Sequence, residues 1–203
     1  MTSVPSDELL VLEPSAQDLL FRAARTANTF ADEPVTDDQL RAIYELYKWA
    51  PTSANIQPMR VLVVRTAQAK ERLMPHLFEG NRAKTATAPA VAVLAVDSAY
   101  YENIPKLLPF RPEMRDVFAN PAIGEPAGRF NATLQAGYFI LAVRAAGLAT
   151  GPMAGFDSAG LDHEFFEGTP LRSILVVNIG KPGESAWFDR LPRLEFEDVV
   201  TLA

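Results

Sequence analysis

The chain has 203 residues, 48% hydrophobic and 22% charged, with a net charge of −6, a balance that fits one compact globular domain and excludes disordered and fibrous classes. No run of Lys and Arg could track a phosphate backbone and no apolar stretch reaches about 18 residues without a charge, so neither nucleic acid nor membrane is expected as a partner. Cysteine is absent and the only histidines are His76 and His163, which removes thiol chemistry, disfavours a His-based triad, and leaves no metal expected.

The start, MTSVPSDELLVLEPS, lacks a basic segment followed by an apolar core, and the chain is read as cytoplasmic. The stretch SAQDLLFRAA reads as a helix with Leu19, Leu20 and Ala23 on one side. Thr36 and Gln39 have capping-box spacing, and Leu40, Ile43, Tyr44 and Tyr47 follow at i, i+3, i+4 and i+7, so a helix is predicted there with Pro51 as its stop. Next comes WAPTSANIQP, residues 49–58, an uncharged run of short hydrogen-bonding side chains bracketed by prolines. MRVLVVR then reads as a strand, TAQAKERLMPHLF as a helix bent by its proline, and PAVAVLAV as a strand buried on both faces.

Residues 97–126 carry five prolines and scattered aromatics, a segment too long for an ordinary connection and expected to form a lid-like excursion over 97–125. AGRFNATLQAGYFILAVRAAG is a long apolar helix with Phe130, Leu134, Tyr138, Leu141 and Ala145 on one stripe, to be buried in a core or against a second subunit. Gly147 ends it, LATGPMAGF reads as a glycine-punctuated loop, DSAGLDHEFF as a short helix capped by Asp157, and RSILVVNIG as a third strand. Residues 181–203 leave the core as an extended tail. No repeat or domain boundary is visible, and the order is that of a single α+β domain over 1–203.

No GxGxxG or GxxxxGK[ST] follows a strand, so a Rossmann site or P-loop is not expected. What remains is a set of separated polar clusters: RTANTF, PTSANIQP, NRAK, GPMAGF and FDRLPR. Each alone has an ordinary reading as a cap, a turn or a solvated face; only their order and spacing carry information.

That pattern, with YKWAPTSANIQP, TGPMAGFD and RLPRL as its most specific stretches, resembles the FMN-dependent nitroreductase family from about Phe21 to Val200. Within the family it is most similar to the malonic semialdehyde reductases of pyrimidine (Rut pathway) degradation. The resemblance implies a nitroreductase-like fold: a central mixed, mainly antiparallel sheet flanked by helices. It also implies an intertwined homodimer with exchanged C-terminal tails and FMN at the subunit interface. By this match Arg25 and Arg190 meet the FMN phosphate, with Thr26 beside them and Arg193 as a rival for the second arginine. Planar, permanently charged guanidinium forks suit a dianion. Asn28, Asn81 and Lys84 would lie along the polar edge of the flavin, where Lys84 stabilises the charge of the reduced ring. Pro152, Met153, Ala154 and Gly155 would pass along one ring face, a backbone N–H of Ala154 or Gly155 reaching N5. Pro51, Thr52, Ser53 and Asn55 would serve the flavin held mainly by the other subunit.

Many nitroreductases have a glutamate where this chain has Ala154, a departure that weakens their nicotinamide contacts as a guide and favours the semialdehyde-reductase branch. The implied reaction is ping-pong hydride transfer through flavin N5, with NADPH or NADH as donor and no catalytic side chain required. A small-molecule substrate such as malonic semialdehyde would yield 3-hydroxypropionate, with Arg115 as a clamp for its carboxylate. Two alternatives are a broad NAD(P)H reductase of nitro compounds, quinones or free flavin, and a non-catalytic dimer that carries FMN.

Overall fold

A computed structural model describes residues 9–203; the expectation drawn from the first eight residues lies outside that span. In chain order the helices and strands are α1 (Pro14–Gln17), α2 (Asp37–Tyr47), β1 (Met59–Val64), α3 (Ala67–Leu73), α4 (Glu79–Thr87), β2 (Ala90–Asp97), α5 (Ile104–Leu107), α6 (Met114–Ala119), α7 (Pro121–Ala145), β3 (Ala149–Met153), α8 (Ser158–Phe166), β4 (Leu171–Gly180) and α9 (Phe196–Val199). The strands form one sheet in the order β1-β2-β4-β3, each neighbour pair antiparallel. Among the described residues no helix is long and apolar enough to cross a membrane, and no group of three or more His, Cys, Asp or Glu side chains is placed to hold a metal.

Strand β2 sets the layers. Val91, Val93 and Ala95 point into one apolar cluster, shared with Leu73, Leu77, Leu161 and Phe166. Ala90, Ala92 and Leu94 alternate onto the opposite face, against Ile43, Ala132, Ala136, Phe139 and Val143. The sheet is therefore covered on both sides, α2 and α7 on one and α3 and α8 on the other. The Tyr47 ring meets Phe139 edge-on at 5.4 Å where α2 packs on α7, and burial pushes its hydroxyl pKa up to about 12.

Local chemistry explains most boundaries. Thr36 Oγ1 accepts from Gln39 N at 3.2 Å while Gln39 Oε1 accepts from Thr36 N at 2.9 Å, the full capping box at the start of α2. Gly147, at φ +71°, follows α7 in the left-handed region that favours glycine. Helix α7 begins at Pro121, upstream of the apolar pattern that starts near Ala127, because Pro121 occupies the first turn and the Asn120 side chain accepts from Ala122 N at 3.1 Å. The first expected helix is split: α1 passes into a π-helical turn over Asp18–Arg22.

Two expectations change. The LATGPMAGF loop is in part strand β3, at the sheet edge, where Pro152 needs no ladder donor. Gly151 is there because a Cβ would stand 3.0 Å from the Ala27 carbonyl oxygen. Of the two burials expected for the α7 stripe, the core is excluded for Phe130, Leu134 and Tyr138, which are 64%, 42% and 43% exposed in the single chain while α7 turns Ala132, Ala136, Phe139 and Val143 inward; burial against a second subunit stays open.

Residues 98–120 fold as short helices and turns over a third cluster of Ile56, Tyr100, Ile104, Leu108 and Phe118, and residues 121–125 of the expected excursion belong to α7. The buried Tyr100 hydroxyl, its pKa pushed up to about 12 by burial, donates to Gly124 O at 3.0 Å. The joint between α6 and α7 is closed so tightly that a Cβ on Gly124 would fall 2.0 Å from the Phe118 carbonyl oxygen. Gly124→Ala is therefore expected to destabilise the protein by about 1–3 kcal/mol through overpacking against backbone, read as a lower urea midpoint at unchanged m-value.

Candidate functional site

Four of the five polar clusters scattered along the sequence gather around strand β3, in two places. Residues 25–31 run beside that edge and beside the tail. Ala27 N donates to Thr150 O at 2.9 Å, Asn28 N to Ala186 O at 3.0 Å, and Ala31 N to Lys181 O at 3.0 Å. Gly183 N returns to Thr29 O at 3.0 Å. This pairing brings Arg25, Thr26 and Asn28 up to Arg190 and Arg193, and all five line one pocket of about 380 Å³ with Arg144, Phe188 and Asp189.

Backbone carbonyls hold the arginines in place. Arg25 Nη1 donates to Phe188 O at 2.9 Å, Arg190 Nη2 donates to Arg22 O and to Ala24 O, and Arg193 Nη1 donates to Leu191 O and Pro192 O, close to its own position. Arg190 is thus tied to the segment that carries Arg25, whereas Arg193 is tied only to the tail. Arg25 Nε is buried without a hydrogen-bond partner, and a buried donor left unmet costs about 1–3 kcal/mol.

A second meeting point lies where α4 faces the end of β3. Gly155 O accepts from Phe78 N at 3.1 Å and from Asn81 Nδ2 at 2.8 Å. A Cβ on Gly155 would come within 2.8 Å of that amide nitrogen, so a side chain here would push the Asn81 amide off the Gly155 carbonyl. Ala154 is exposed, while Met153 is buried beneath it. Behind Asn81, Thr85 Oγ1 donates to Asn81 O at 2.9 Å and accepts from Asn178 Nδ2 at 3.1 Å. Lys84, half-buried on the same helix, has its pKa lowered by desolvation.

The PTSANIQP loop stands apart, with none of its residues lining the arginine pocket. Ala54, Asn55 and Gln57 have φ of 49°, 52° and 40°, a left-handed run unusual for residues other than glycine. Fully buried Ile56 anchors it, Ser53 N donates to Asn131 Oδ1 at 2.8 Å, and Asn55 Nδ2 to Leu107 O at 2.9 Å. Pro51, Ser53 and Asn55 stay exposed and Thr52 half-exposed. Arg115 is engaged by acids: Nη2 meets Glu102 Oε1 at 2.7 Å and Nη1 meets Asp116 Oδ1 at 2.8 Å.

Sequence reasoning missed Arg144 and the Thr85–Asn178 pair. Arg144 had a readable signal, a single cation in the apolar run YFILAVRAAG. Thr85 and Asn178 had none, since their contact joins two unremarkable polar residues 93 positions apart.

The chain matches the profile of the nitroreductase family over residues 22–181. It is 58% identical over 195 residues to a Streptomyces griseus protein named as an NADH dehydrogenase/NAD(P)H nitroreductase, covering 95% of this chain and 98% of that one. Its fold is similar to that of a Bacillus subtilis nitroreductase, at TM-score 0.80, 21% identity and coverage of 94% and 100%. It is also similar to an Exiguobacterium sibiricum nitroreductase solved in complex with FMN, at TM-score 0.81, 18% identity and coverage of 92% and 96%.

Thr85→Val keeps the shape but removes the bonds of the buried hydroxyl to Asn81 O and Asn178 Nδ2 and its 3.8 Å contact with Met153 Sδ, leaving Asn178 Nδ2 only a 3.9 Å contact with the same sulfur. A loss of about 1–3 kcal/mol in unfolding free energy is expected, measured by urea denaturation.

Proposed function

The chain belongs to the nitroreductase family, and on that footing we propose that it is an FMN-dependent NAD(P)H oxidoreductase of the cytoplasm acting on small molecules. The observation that carries this reading is the convergence of Arg25, Arg190 and Arg193 on one pocket, with the unmet Arg25 Nε buried beside it. That donor set fits a terminal phosphate. The residues around Gly155 fit a planar polar ring edge: a glycine that excludes a side chain, a half-buried cation at Lys84, and the Oδ1 of Asn81, whose amide nitrogen is already used on Gly155 O.

FMN, when bound, supplies a site that accepts hydride from NADPH or NADH and delivers it to a second substrate. The chain's own residues position and tune. Arg25 and Arg190, with Arg193 behind, would hold the phosphate; Thr26 and Asn28 would meet the polar chain that leads to the ring. Pro152, Met153, Ala154 and Gly155 would present backbone to one ring face, pinned through the two bonds to Gly155 O. Lys84 would meet the negative charge of reduced flavin; its lowered pKa is the cost of a buried charge awaiting a counter-charge.

The reading includes a homodimer. Phe130, Leu134 and Tyr138 form an uncovered apolar stripe on α7, and Leu191, Leu194 and Phe196 are exposed along the tail. A partner chain would cover both, and Pro51, Thr52, Ser53 and Asn55, absent from the arginine pocket of their own subunit, would serve the other one.

For the substrate, malonic semialdehyde fits the small Ala154 and its open surroundings, with Arg115 as a carboxylate clamp. A second reading, reduction of nitro compounds, quinones or free flavin, is favoured by a specific observation: Arg115 already forms ion pairs with Glu102 and Asp116, which a substrate carboxylate would have to displace. The name of the Streptomyces griseus relative points the same way.

Purified protein is expected to be yellow and to bleach with NADPH or NADH; flavin that binds but stays oxidised would leave the carrier reading in its place. Stopped-flow reoxidation by malonic semialdehyde, menadione and nitrofurazone then ranks the acceptors. Slower reoxidation by the semialdehyde than by both others discards it as substrate. Lys84→Met is expected to lower the midpoint potential of the bound flavin, because the cation that favours the reduced anion is gone; an unchanged potential in spectroelectrochemical titration removes that role from Lys84.

A further inference from the structure

Arg144 is the one arginine of the pocket that the function above does not use. It sits in the last turn of α7 and lines the same cavity as Arg25, Arg190 and Arg193. It also lines an adjoining apolar cavity of about 190 Å³ with Arg25, Leu148, Thr150 and Trp187. Its single hydrogen bond runs from Nη1 to Leu20 O at 3.0 Å, which fixes the guanidinium but leaves its charge uncompensated. Asp18 and Asp189 line these cavities, yet neither pairs with it, and the only influence on its pKa is desolvation, which lowers it. A half-buried guanidinium without an acid is costly unless something else brings the negative charge. A helix C-terminus attracts a cation, but Arg144 reaches away from α7 to the π-helical turn.

We propose that Arg144 is a third arginine contact for the terminal phosphate of the flavin, making this pocket selective for the phosphorylated cofactor over riboflavin. The proposal rests on the FMN reading given above. Two of the other arginines spend donors on structural carbonyls that join the tail to residues 22–25. Arg144 comes instead from the long helix packed on the sheet, so it provides a charge whose place does not depend on the tail.

The test measures the dissociation constants of FMN and riboflavin for the wild-type protein, Arg144→Met and Arg144→Lys at fixed salt. Because a charge-assisted hydrogen bond to phosphate is lost, Arg144→Met is expected to weaken FMN roughly 10- to 100-fold while riboflavin changes little. Arg144→Lys retains the charge and is expected to recover most of the FMN preference. A purely structural Arg144 would instead weaken both flavins in parallel or lower only the melting temperature, and either result, with the FMN-to-riboflavin ratio unchanged in both variants, overturns the proposal. If the wild-type protein takes up neither flavin, the FMN reading itself fails and this inference falls with it.

Discussion

The constraint on which the structure depends is the two-sided burial of β2. An apolar strand with nothing polar on either face, Ala90 to Ala95 all at zero exposure, must be sandwiched between two layers. That places α7 on one side and α3 and α8 on the other, and leaves β1 and β3 as the edges. An open edge presents unpaired backbone groups. At β3 the edge is answered by residues 26–27, through Thr26 opposite Thr150 and Ala27 N on Thr150 O. The tail then pairs with the outer side of the same segment. Edge closure is thus what delivers Arg25 to Arg190, so the candidate site is a by-product of how the sheet is finished.

The same logic explains which parts of the fold were legible. Local signals decided the start of α2, where Thr36 and Gln39 form their box, and the end of α7 at Gly147, because a cap needs only neighbours in sequence. Hydrophobic period decided β1, β2 and β4. It failed at β3, whose Gly151 and Pro152 contradict strand propensity; there tertiary closeness to Ala27 and Asn178 chose glycine, and edge position tolerated proline. It also failed on the orientation of α7, which is apolar nearly all round, so that composition alone could not say which stripe faces the sheet and which is left outside.

For the site, the arginines and the GPMAG segment were visible through family resemblance rather than through physical pattern. No spacing rule connects Arg25 to Arg190 or Asn81 to Gly155; those pairs exist only once the sheet has formed. The structure adds the couplings. Asn178 in the core of β4 reaches Thr85, Thr85 reaches the Asn81 carbonyl, and the Asn81 amide pins Gly155. These hydrogen bonds connect the core of β4 to the segment proposed to face the flavin, while Asn178 Oδ1 itself is buried without a partner.

Charge distribution completes the argument. The chain carries a net charge of −6, which by itself would repel an anionic cofactor and anionic nicotinamide donors. At physiological salt, however, exposed charges are screened beyond about 8 Å, so an anion entering the pocket is governed by its immediate lining. That lining gathers Arg25, Arg144, Arg190 and Arg193 against Asp189. Three of these arginines come from segments brought together by edge closure, and the fourth from the helix that covers the sheet. The positive charge of this pocket is thus assembled by the same packing that buries β2, and an acidic protein gathers a local cluster of arginines without any basic run in its sequence.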